Sequence, residues 1–339
     1  MSILVCGGAG YIGSHTCVEL LNAGYDIVVA DNLYNSCEEA LVRVEKITGK
    51  KVPFVKTELC HEDEVEALFA QHPGIEAVIH FAGLKAVGES VAKPLEYYSN
   101  NLISTLYLLS AMRRHGVKNF VFSSSATVYG DPATVPIRED FPTGGTTNPY
   151  GTSKLFQEKM LMDICAADPE LNVALLRYFN PIGAHESGLM GEDPNGIPNN
   201  LVPYIAKVSV GQLEKLHVFG DDYPTPDGTG VRDYIHVVDL AKGHVAALKK
   251  LDTKCGLFVC NLGTGKGYSV LEVLHAYEKA CGKTLPYAIE PRRPGDIAVC
   301  YADPAKARDE LGWEAQLGIE EMCASSYKWQ SGNPNGYKS

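Results

Sequence analysis

A glycine-rich turn near the start of the chain constrains the fold more than any other feature. An apolar segment from Ile3 to Cys6 leads into Gly7, Gly10 and Gly13, and a helical pattern follows from Ser14 to Ala23. Glycines in such a turn let the backbone approach a ligand closely, and the helix N-terminus after them faces a pyrophosphate. The order of strand, glycine turn and helix predicts the first half of a dinucleotide-binding βαβ unit.

An acidic residue completes this pattern. A second strand-like segment, Asp26 to Ala30, ends at Asp31, about 20 residues after the glycines. A carboxylate at this place accepts hydrogen bonds from ribose hydroxyls, which favours NAD over NADP. The cofactor predicted from the residues alone is therefore NAD.

Strand and helix patterns continue to alternate downstream. Further strands are predicted at Val52 to Val55, Ala77 to Phe81, Asn119 to Ser123 and Val173 to Tyr178, with helices at Glu62 to Gln71, Pro94 to His115 and Tyr150 to Ala167. This alternation predicts an α/β fold with a doubly wound parallel sheet, the Rossmann architecture. Ligands bind such sheets beyond the C-terminal ends of the strands.

A loop-rich stretch after Tyr178, dense in proline and glycine, indicates a domain border or a substrate loop. We expect residues 1–180 to form the dinucleotide-binding domain, rejoined by about residues 235–262. The remainder of residues 181–339 would form a smaller, discontinuous α/β substrate domain.

Tyr150 and Lys154 form a candidate catalytic pair. If Tyr150 opens a helix, Lys154 lies one turn later on the same face. An ammonium group there stabilises a phenolate and brings the tyrosine pKa from about 10 towards neutrality. Ser125, at a neighbouring strand end, would complete a proton-handling trio. The alternative is an ordinary surface pair.

Two basic clusters stand out in a chain of net charge -11. One contains Arg232, and the other contains Arg292 and Arg293, followed by Asp296. Guanidinium forks suit phosphate oxygens, and surface ion pairs with Asp233 or Asp296 are the alternative. The acidic balance argues against a nucleic-acid or membrane partner.

The cysteines and the first residues bear on the cellular setting. Ten cysteines are scattered without a C-x-x-C pair, and the ten histidines show no paired ligand spacing. The first residues lack the regions of a signal peptide. We expect a cytoplasmic protein without a bound metal.

Motifs in both halves of the chain resemble those of one family. They are Gly7 to Gly13, Asp31 to Leu33, His80 to Ser90, Ser123 to Gly130, Tyr150 to Lys154, Leu176 to Asn180 and Gly230 to His236. On these motifs the chain resembles, from end to end, the UDP-glucose 4-epimerase branch of the extended short-chain dehydrogenase/reductase family. The resemblance implies an isomerase with tightly held NAD, a UDP-hexose substrate and a homodimer built on the helices Pro94 to His115 and Tyr150 to Ala167.

The resemblance also implies a role for each matching residue. Tyr150 would be the catalytic acid/base, Lys154 its electrostatic partner, and Ser125 a hydroxyl bridging to the sugar O4. The residues assigned to NAD are Gly7, Gly10, Tyr11, Ile12, Gly13, Asp31, Asn32, Asn35, Ser36, Glu58, Leu59, Phe81, Ala82, Gly83, Lys85, Asn100, Ser123, Tyr150, Lys154 and Phe179. The residues assigned to the UDP-sugar are Ser125, Tyr150, Asn180, Asn200, Leu201, His217, Val218, Phe219, Arg232, Tyr234, Arg293, Asp296 and Cys300.

The implied reaction is a reversible oxidation at C4 of UDP-glucose or UDP-galactose. Tyr150 takes the O4 proton while hydride leaves for NAD, and the 4-ketose turns over and recovers the hydride on its other face. Glu58 departs from the family pattern, which usually has aspartate beside the adenine. That longer acid changes the expected geometry of the contact.

Two other functions remain as alternatives. Nucleotide-sugar 4,6-dehydratases and decarboxylases share the fold and the Tyr-Lys pair but carry carboxylates after the serine, where this chain has Ala126 and Thr127. Elimination would lack its proton carriers. A non-catalytic NAD-sensing protein is the other alternative, since fold alone does not establish activity.

Substrate range depends on one position in this family. Members restricted to UDP-glucose and UDP-galactose carry a bulky tyrosine beside the sugar 2-position, and the matching residue here is Cys300. This predicts that N-acetylated UDP-hexoses are accepted too. A register slip of one residue would place Tyr301 there and reverse the prediction, and Cys300 as a packing residue is the alternative.

Overall fold

The fold is taken from a computed structural model that describes residues 1–293 and 295–338. Pro294, in the loop that carries Arg292 and Arg293, and Ser339 lie outside the described residues. The strands are β1 (Ser2–Cys6), β2 (Asp26–Asp31), β3 (Phe54–Lys56), β4 (Ile75–His80), β5 (Asn119–Ser125), β6 (Asn172–Tyr178), β7 (Asn180–Ile182), β8 (Leu216–Phe219), β9 (Val231–His236), β10 (Leu257–Leu262), β11 (Gly267–Ser269), β12 (Tyr287–Glu290) and β13 (Val299–Cys300).

The helices cover the sheet on both faces. They are α1 (Tyr11–Asn22), α2 (Glu39–Thr48), α3 (Glu62–Gln71), α4 (Val87–Ala92), α5 (Pro94–His115), α6 (Pro149–Ala167), α7 (Leu201–Ser209), α8 (Val237–Leu251), α9 (Val270–Cys281) and α10 (Ile319–Gly332). No helix among the described residues combines the length and the hydropathy that crossing a membrane requires.

The large sheet is parallel, with strand order β10-β6-β5-β4-β1-β2-β3 among the described residues. Alternate residues of its strands enter two separate cores, as the pleat requires: Ile3 and Val5 belong to one, and Leu4 and Cys6 to the other. Because both faces are covered, the strands are mostly apolar, and β5 and β6 carry the buried polar residues Ser123, Ser124 and Arg177. The predicted doubly wound α/β fold is confirmed.

The direction of chain winding reverses between β1 and β4. The chain leaves β1 towards β2 and β3 on one side, whereas β4, β5 and β6 continue on the other. In parallel α/β sheets the ligand crevice opens at such a reversal, outside the C-terminal strand ends. The fold therefore places the glycine turn after β1 opposite the turn after β4.

A smaller region packs against this edge. β9 pairs with β7, β11 and β13, while β8 pairs with β12. α7, α9 and α10 enclose a third core with these strands. β7 follows β6 after a single residue, Phe179, and β10 pairs with β6. The domain limits at residue 180 remain a prediction.

Several element boundaries differ from those expected, among them β4, which runs Ile75–His80 instead of Ala77 to Phe81. Three of the differences have a clear local cause. β3 starts at Phe54 rather than Val52, because Pro53 has no N–H to donate to a ladder. β5 runs on to Ser125 because Ser124 and Ser125 remain paired with β6. α1 begins at Tyr11, directly after the extended Gly10, and not at Ser14.

Candidate active site

The glycine turn after β1 is packed too tightly for any side chain. A Cβ on Gly7, which has a φ of 77°, would lie 2.6 Å from the main-chain nitrogen of Ala82. A Cβ on Gly13 would overlap the main-chain oxygen of Gly7. These two positions require glycine, since helix α1 could not otherwise approach the strand end.

The first turn of α1 presents free main-chain donors. Its first intrahelical bond runs from the Ser14 nitrogen to the Gly10 oxygen, at 2.8 Å. Within residues 1–293 and 295–338, the N–H groups of Tyr11, Ile12 and Gly13 have no backbone or side-chain acceptor. No acidic side chain lies in this first turn. These donors and the helix dipole suit a pyrophosphate.

Asp31, at the end of β2, is buried and partly satisfied. Its Oδ2 accepts a hydrogen bond from the Ala9 nitrogen at 3.0 Å, and its Oδ1 accepts from the Leu33 nitrogen and from Ser36 Oγ. A carboxylate offers about four acceptor sites, so one remains for a ribose hydroxyl. The carboxylate also binds the glycine turn to the loop after β2.

The other residues expected around the adenosine lie close to this loop. Asn32 Nδ2 donates to Glu58 Oε2 at 2.8 Å, and Glu58 Oε1 accepts from the Cys60 nitrogen. These bonds fix the longer acid that departs from the family pattern. Leu59 is buried, and Asn35 is exposed.

The turn after β4 forms the opposite wall. The nitrogens of Phe81 and Ala82 donate to the Cys6 oxygen, and the Phe81 ring packs against His244. Beyond Gly83, Asn101 Oδ1 accepts from the Leu84 nitrogen at 2.8 Å. Two further predicted residues lie near this wall: Lys85, 3.4 Å from Glu192, and Asn100, whose Nδ2 contacts Cys60 Sγ.

Tyr150 and Ser125 meet where α6 begins beside the end of β5. Asn148 caps α6 by accepting a hydrogen bond from the Gly151 nitrogen at 2.9 Å. Tyr150 is the second residue of α6 and is half-buried. A hydrogen bond with the Ser125 hydroxyl acts to lower the pKa of Tyr150. Ser125 Oγ accepts hydrogen bonds from the Thr127 nitrogen and Oγ1. The Ser125 hydroxyl hydrogen therefore remains available to a ligand.

Lys154 lies one turn further along α6. Its Nζ donates to the main-chain oxygen of Ser123 at 2.7 Å and lies 4.7 Å from the centroid of the Phe122 ring. Burial lowers the pKa of Lys154 to about 7, with the Glu158 carboxylate acting in the opposite direction. The pKa of Lys154 is thus close to neutral pH, where the charged and neutral forms of its amine coexist.

The pKa of Tyr150 does not move as the sequence predicts. Burial raises it, and the Ser125 hydroxyl acts against this rise without overcoming it. The expectation of a phenol lowered towards neutrality is wrong for the protein chain alone, because desolvation outweighs the favourable groups. A further positive charge at the site is needed to lower this pKa.

The expected substrate residues come from the smaller region. Arg232, on β9, bonds Asp296 at 3.1 Å, and not the adjacent Asp233. Arg293 places its guanidinium 3.9 Å from the centroid of the Phe219 ring. A Cβ on Gly295 would lie 3.4 Å from the Thr147 Cβ. The arginine loop therefore reaches the segment that precedes Tyr150.

The remaining candidates line the same region. Asn180 begins β7 and Asn200 precedes α7, and both residues are exposed. The side chain of Asn200 makes no capping hydrogen bond to α7. His217 Nδ1 lies 3.0 Å from Glu290 Oε1, and its ring packs edge-on against Tyr204. Three others lie on these elements: Leu201 as the first residue of α7, Val218 buried on β8 and Tyr234 buried on β9.

Cys300 and Tyr301 point in different directions. Cys300, paired with Arg232 in the β13–β9 ladder, packs against a small core that includes Phe179. Tyr301 instead lies beside Gly267, where a Cβ would be 3.3 Å from its ring. Because successive strand residues face opposite sides, only one of the two faces the Phe179 side.

Sequence reasoning missed a buried ion pair beneath Lys154. Arg177 on β6 bonds both oxygens of Glu158 on α6, at 2.9 and 2.7 Å, and Ser124 Oγ donates to Glu158 Oε1 at 2.5 Å. Glu158 lies four residues after Lys154, so the spacing Tyr-x-x-x-Lys-x-x-x-Glu was a signal that could have found it.

The comparisons with known proteins agree along the whole chain. Residues 3–263 match the model of the NAD dependent epimerase/dehydratase family. A UDP-glucose 4-epimerase of Bacillus subtilis is 66% identical over 339 residues, covering 100% of this chain and 99% of the relative. The predicted resemblance is confirmed.

Two solved structures are similar in fold as well. The UDP-glucose 4-epimerase of Bifidobacterium longum, in complex with NAD+ and UDP, superposes with a TM-score of 0.96 at 65% identity, covering 99% of this chain and 100% of that one. The UDP-Glc/GlcNAc 4-epimerase of Campylobacter jejuni superposes with a TM-score of 0.85 at 37% identity, covering 98% of this chain and 99% of that one.

Among the described residues, no three histidine, cysteine or acidic side chains converge as metal ligands.

Proposed function

The chain belongs to the NAD dependent epimerase/dehydratase family, and we propose that it interconverts UDP-galactose and UDP-glucose by reversible oxidation at C4. Family membership confirms the prediction of an NAD-using enzyme. The observation that carries the finer proposal is the placement of Tyr150 and Ser125 at the C-terminal edge of the sheet. The loop with Arg293 reaches Thr147, in the segment that leads into Tyr150.

The residues at the winding reversal fit NAD. The glycine turn excludes side chains, three main-chain donors face outward, and Asp31 keeps an acceptor site. Bound NAD would supply the oxidant for C4 in the form of a reversible hydride acceptor, together with the positive charge of its oxidised ring. That charge meets the requirement set by the raised pKa of Tyr150.

Tyr150 then acts as the acid and base at O4. Its phenolate accepts the O4 proton as C4 is oxidised, and the phenol returns this proton when C4 is reduced. Ser125 donates its free hydroxyl hydrogen to the sugar oxygen, since its lone pairs already accept from Thr127. Lys154, anchored on Ser123, contributes a positive charge that favours the phenolate.

The UDP portion would be held more firmly than the sugar. Arg232, paired with Asp296, and Arg293, which lies over the Phe219 ring, are the guanidinium groups proposed for this role, since their forks match diphosphate oxygens. Apart from Ser125 and Tyr150, few predicted contacts go to the hexose. A loosely held 4-keto sugar is what turning over about the phosphate link requires.

The site lacks the groups that a dehydratase needs. Ala126 and Thr127 follow Ser125 in a short 3₁₀ turn, and Thr127 hydrogen-bonds Ser125. Elimination requires a carboxylate acid and base beside the serine. The C4 epimerase therefore fits this site better than the dehydratase or decarboxylase alternative.

The proposal is tested with purified protein and UDP-galactose, without added NAD. Formation of UDP-glucose, with NAD released on denaturation, is the expected result. Bound NAD with no turnover would favour the sensing protein instead, and a 4-keto-6-deoxy product would identify a dehydratase.

We further propose that N-acetylated UDP-hexoses are substrates. Cys300, which is small, packs towards Phe179, and Tyr301 lies on the other face beside Gly267. A cysteine at this position occupies less volume than the tyrosine of restricted members, which would leave more space for a group at the sugar 2-position. The similar Campylobacter jejuni protein is named for activity on UDP-Glc and UDP-GlcNAc. Incubation with UDP-N-acetylgalactosamine tests the proposal, and failure to convert it would overturn it.

A homodimer through α5 and α6 is the proposed assembly. Apolar side chains are exposed along these helices and the adjoining α4, and five of them are more than two fifths exposed: Val87, Val91, Leu95, Leu106 and Phe156. Because α4, α5 and α6 pack on one another, these side chains lie on neighbouring helices, as expected of an interface. Sedimentation should give a dimer, and Phe156→Asp should give a monomer. Ile289→Asp, an exposed site on β12, is the matched control.

A further inference from the structure

Three side chains of α6 are spaced by one helical turn: Tyr150, Lys154 and Glu158. Residues four apart lie on one face of a helix, so the proposed acid/base, its ammonium partner and a carboxylate form one stripe. Lys154 and Glu158 are 4% and 1% exposed. A carboxylate so deeply buried is costly unless charge and hydrogen bonds compensate it.

The Glu158 carboxylate is compensated on both oxygens. Arg177 binds it through Nε and one terminal nitrogen, and Ser124 Oγ adds a third hydrogen bond. Arg177 is held in turn by the Tyr129 hydroxyl at 2.9 Å. A bidentate pair in such a network has one geometry, so the position of Glu158 is fixed relative to β5 and β6.

This network attaches the end of β5 to α6 at two points. Ser124 donates to Glu158, and the neighbouring Ser123 accepts from Lys154 through its main-chain oxygen. Ser125 is the next residue on the strand. A shift of Glu158 would therefore move both the anchor of Lys154 and the hydroxyl aimed at the sugar oxygen.

The charges that face Lys154 come from several elements. Glu158 on α6 is the acidic group whose field opposes the effect of burial on the Lys154 pKa. His80, on β4, is also buried. Its burial and the charge of Lys154 lower the pKa of His80 to about 3, so the imidazole is neutral. Phe122 and the Ser123 oxygen complete the β5 side. Arg177, on β6, is already paired with Glu158.

We propose that Glu158 is a positioning residue of the reaction: its buried carboxylate keeps Lys154 charged and, through Ser124, holds the end of β5 in register with Tyr150. The proposal rests on the function proposed above. Both oxygens of Glu158 are bonded within the fold, Oε1 to Arg177 and Ser124 and Oε2 to Arg177, so the carboxylate acts on the reaction through these partners and Lys154.

The test replaces the carboxylate by an amide of the same shape, Glu158→Gln. Two quantities are measured: the pH dependence of kcat for UDP-galactose, and the titration of Lys154 by NMR of lysine-labelled protein, with its signal assigned by its loss in Lys154→Met. We expect the alkaline limb of kcat and the Lys154 titration to move down by about one pH unit. In mildly alkaline buffer kcat should fall about tenfold, whereas KM and bound NAD stay near wild type.

Two further variants separate charge from packing. Glu158→Asp keeps the charge and should recover at least half of the pH shift. Tyr129→Phe weakens the same network without touching Glu158, and it should leave the pH limb in place. An unshifted limb and an unshifted Lys154 titration in Glu158→Gln would overturn the proposal.

If Glu158→Gln fails to fold because Arg177 is left unpaired, the double variant Glu158→Gln/Arg177→Met removes both buried charges. It should still lower the Lys154 titration, and a wild-type titration in this protein would contradict the proposal. The NMR readout does not depend on turnover. If the wild-type protein fails to epimerise but Glu158→Gln shows the shifted lysine, the proposed function is refuted, whereas the effect of Glu158 on the charge of Lys154 stands.

Discussion

Lys154 donates a 2.7 Å hydrogen bond to the main-chain oxygen of Ser123, on the strand next to its own helix. Among the described residues no hydrogen bond joins Lys154 to Tyr150. The ammonium group is thus fixed by the sheet, and in the protein chain alone it can influence the phenol only through its charge. This fixed, buried cation has consequences for both stability and turnover.

Lys154→Met should stabilise the protein while stopping turnover. The pKa of Lys154 falls from 10.5 to about 7 on folding, so the buried charge destabilises the folded state fully below about pH 7, and the effect fades as the pH rises towards 10.5. A full shift would correspond to about 5 kcal/mol.

Because Ser123 and Glu158 lose a partner in Lys154→Met, we expect a gain of only about 2 kcal/mol in the free energy of unfolding at neutral pH. Urea unfolding of the variant and the wild type at neutral and alkaline pH measures the gain in the free energy of unfolding and its decrease as the pH rises. Lower stability at neutral pH would contradict this assignment of the buried charge.

Tyr150→Phe should remove the proton carrier and little else. The ring remains to pack at the start of α6, so folding and NAD content should match wild type. Loss of general acid/base catalysis costs roughly 10²- to 10⁴-fold in kcat. Steady-state assay with UDP-galactose measures the loss. Comparable turnover would mean that another group moves the O4 proton.

Gly13→Ala should prevent retention of the cofactor. The added Cβ would overlap the Gly7 oxygen, and relief requires the first turn of α1 to move away from the strand end. Overpacking of this kind costs about 1–3 kcal/mol or more. The NAD content of purified protein should fall sharply. Gly74→Ala, where a Cβ meets nothing within 4 Å, is the matched control and should retain NAD.

Cys300→Tyr should abolish conversion of N-acetylated UDP-hexoses and spare UDP-galactose. The larger ring would fill space on the side that Cys300 shares with Phe179. Parallel assays with UDP-galactose and UDP-N-acetylgalactosamine measure the selectivity. Tyr301→Phe, on the opposite face, should change neither rate. Equal loss with both substrates in Cys300→Tyr would show damage to packing instead of a change in specificity.

Sequence periodicity was sufficient for the fold. Helices α3 and α5 have the predicted limits, Glu62–Gln71 and Pro94–His115, because a charged first turn or an N-terminal proline begins each helix, and Gly116 ends the second. The dinucleotide-binding role of the glycine turn and Asp31 could also be predicted from the sequence. Their spacing is local, and the chemistry of a nucleotide ligand dictates it.

Ion pairs between residues that are distant in the sequence were harder to predict from the sequence. Asp296 lies 64 residues after its partner Arg232, and Glu158 meets Arg177 only because α6 packs over β6. The pKa of Tyr150 was mispredicted because burial cannot be weighed against charge until the packing around the phenol is known. Periodicity identifies a buried face, but it does not identify the partner of a buried charge.

The fate of the C4 hydrogen tests the proposed reaction most directly. UDP-galactose deuterated at C4 is incubated in ordinary water with protein carrying only its own NAD, and the UDP-glucose formed is analysed by mass spectrometry and NMR. Retention of deuterium at C4 is the predicted result, since the hydrogen removed from C4 returns to the same carbon while Tyr150 exchanges only the O4 proton. Replacement of that deuterium by solvent hydrogen would contradict the proposed mechanism.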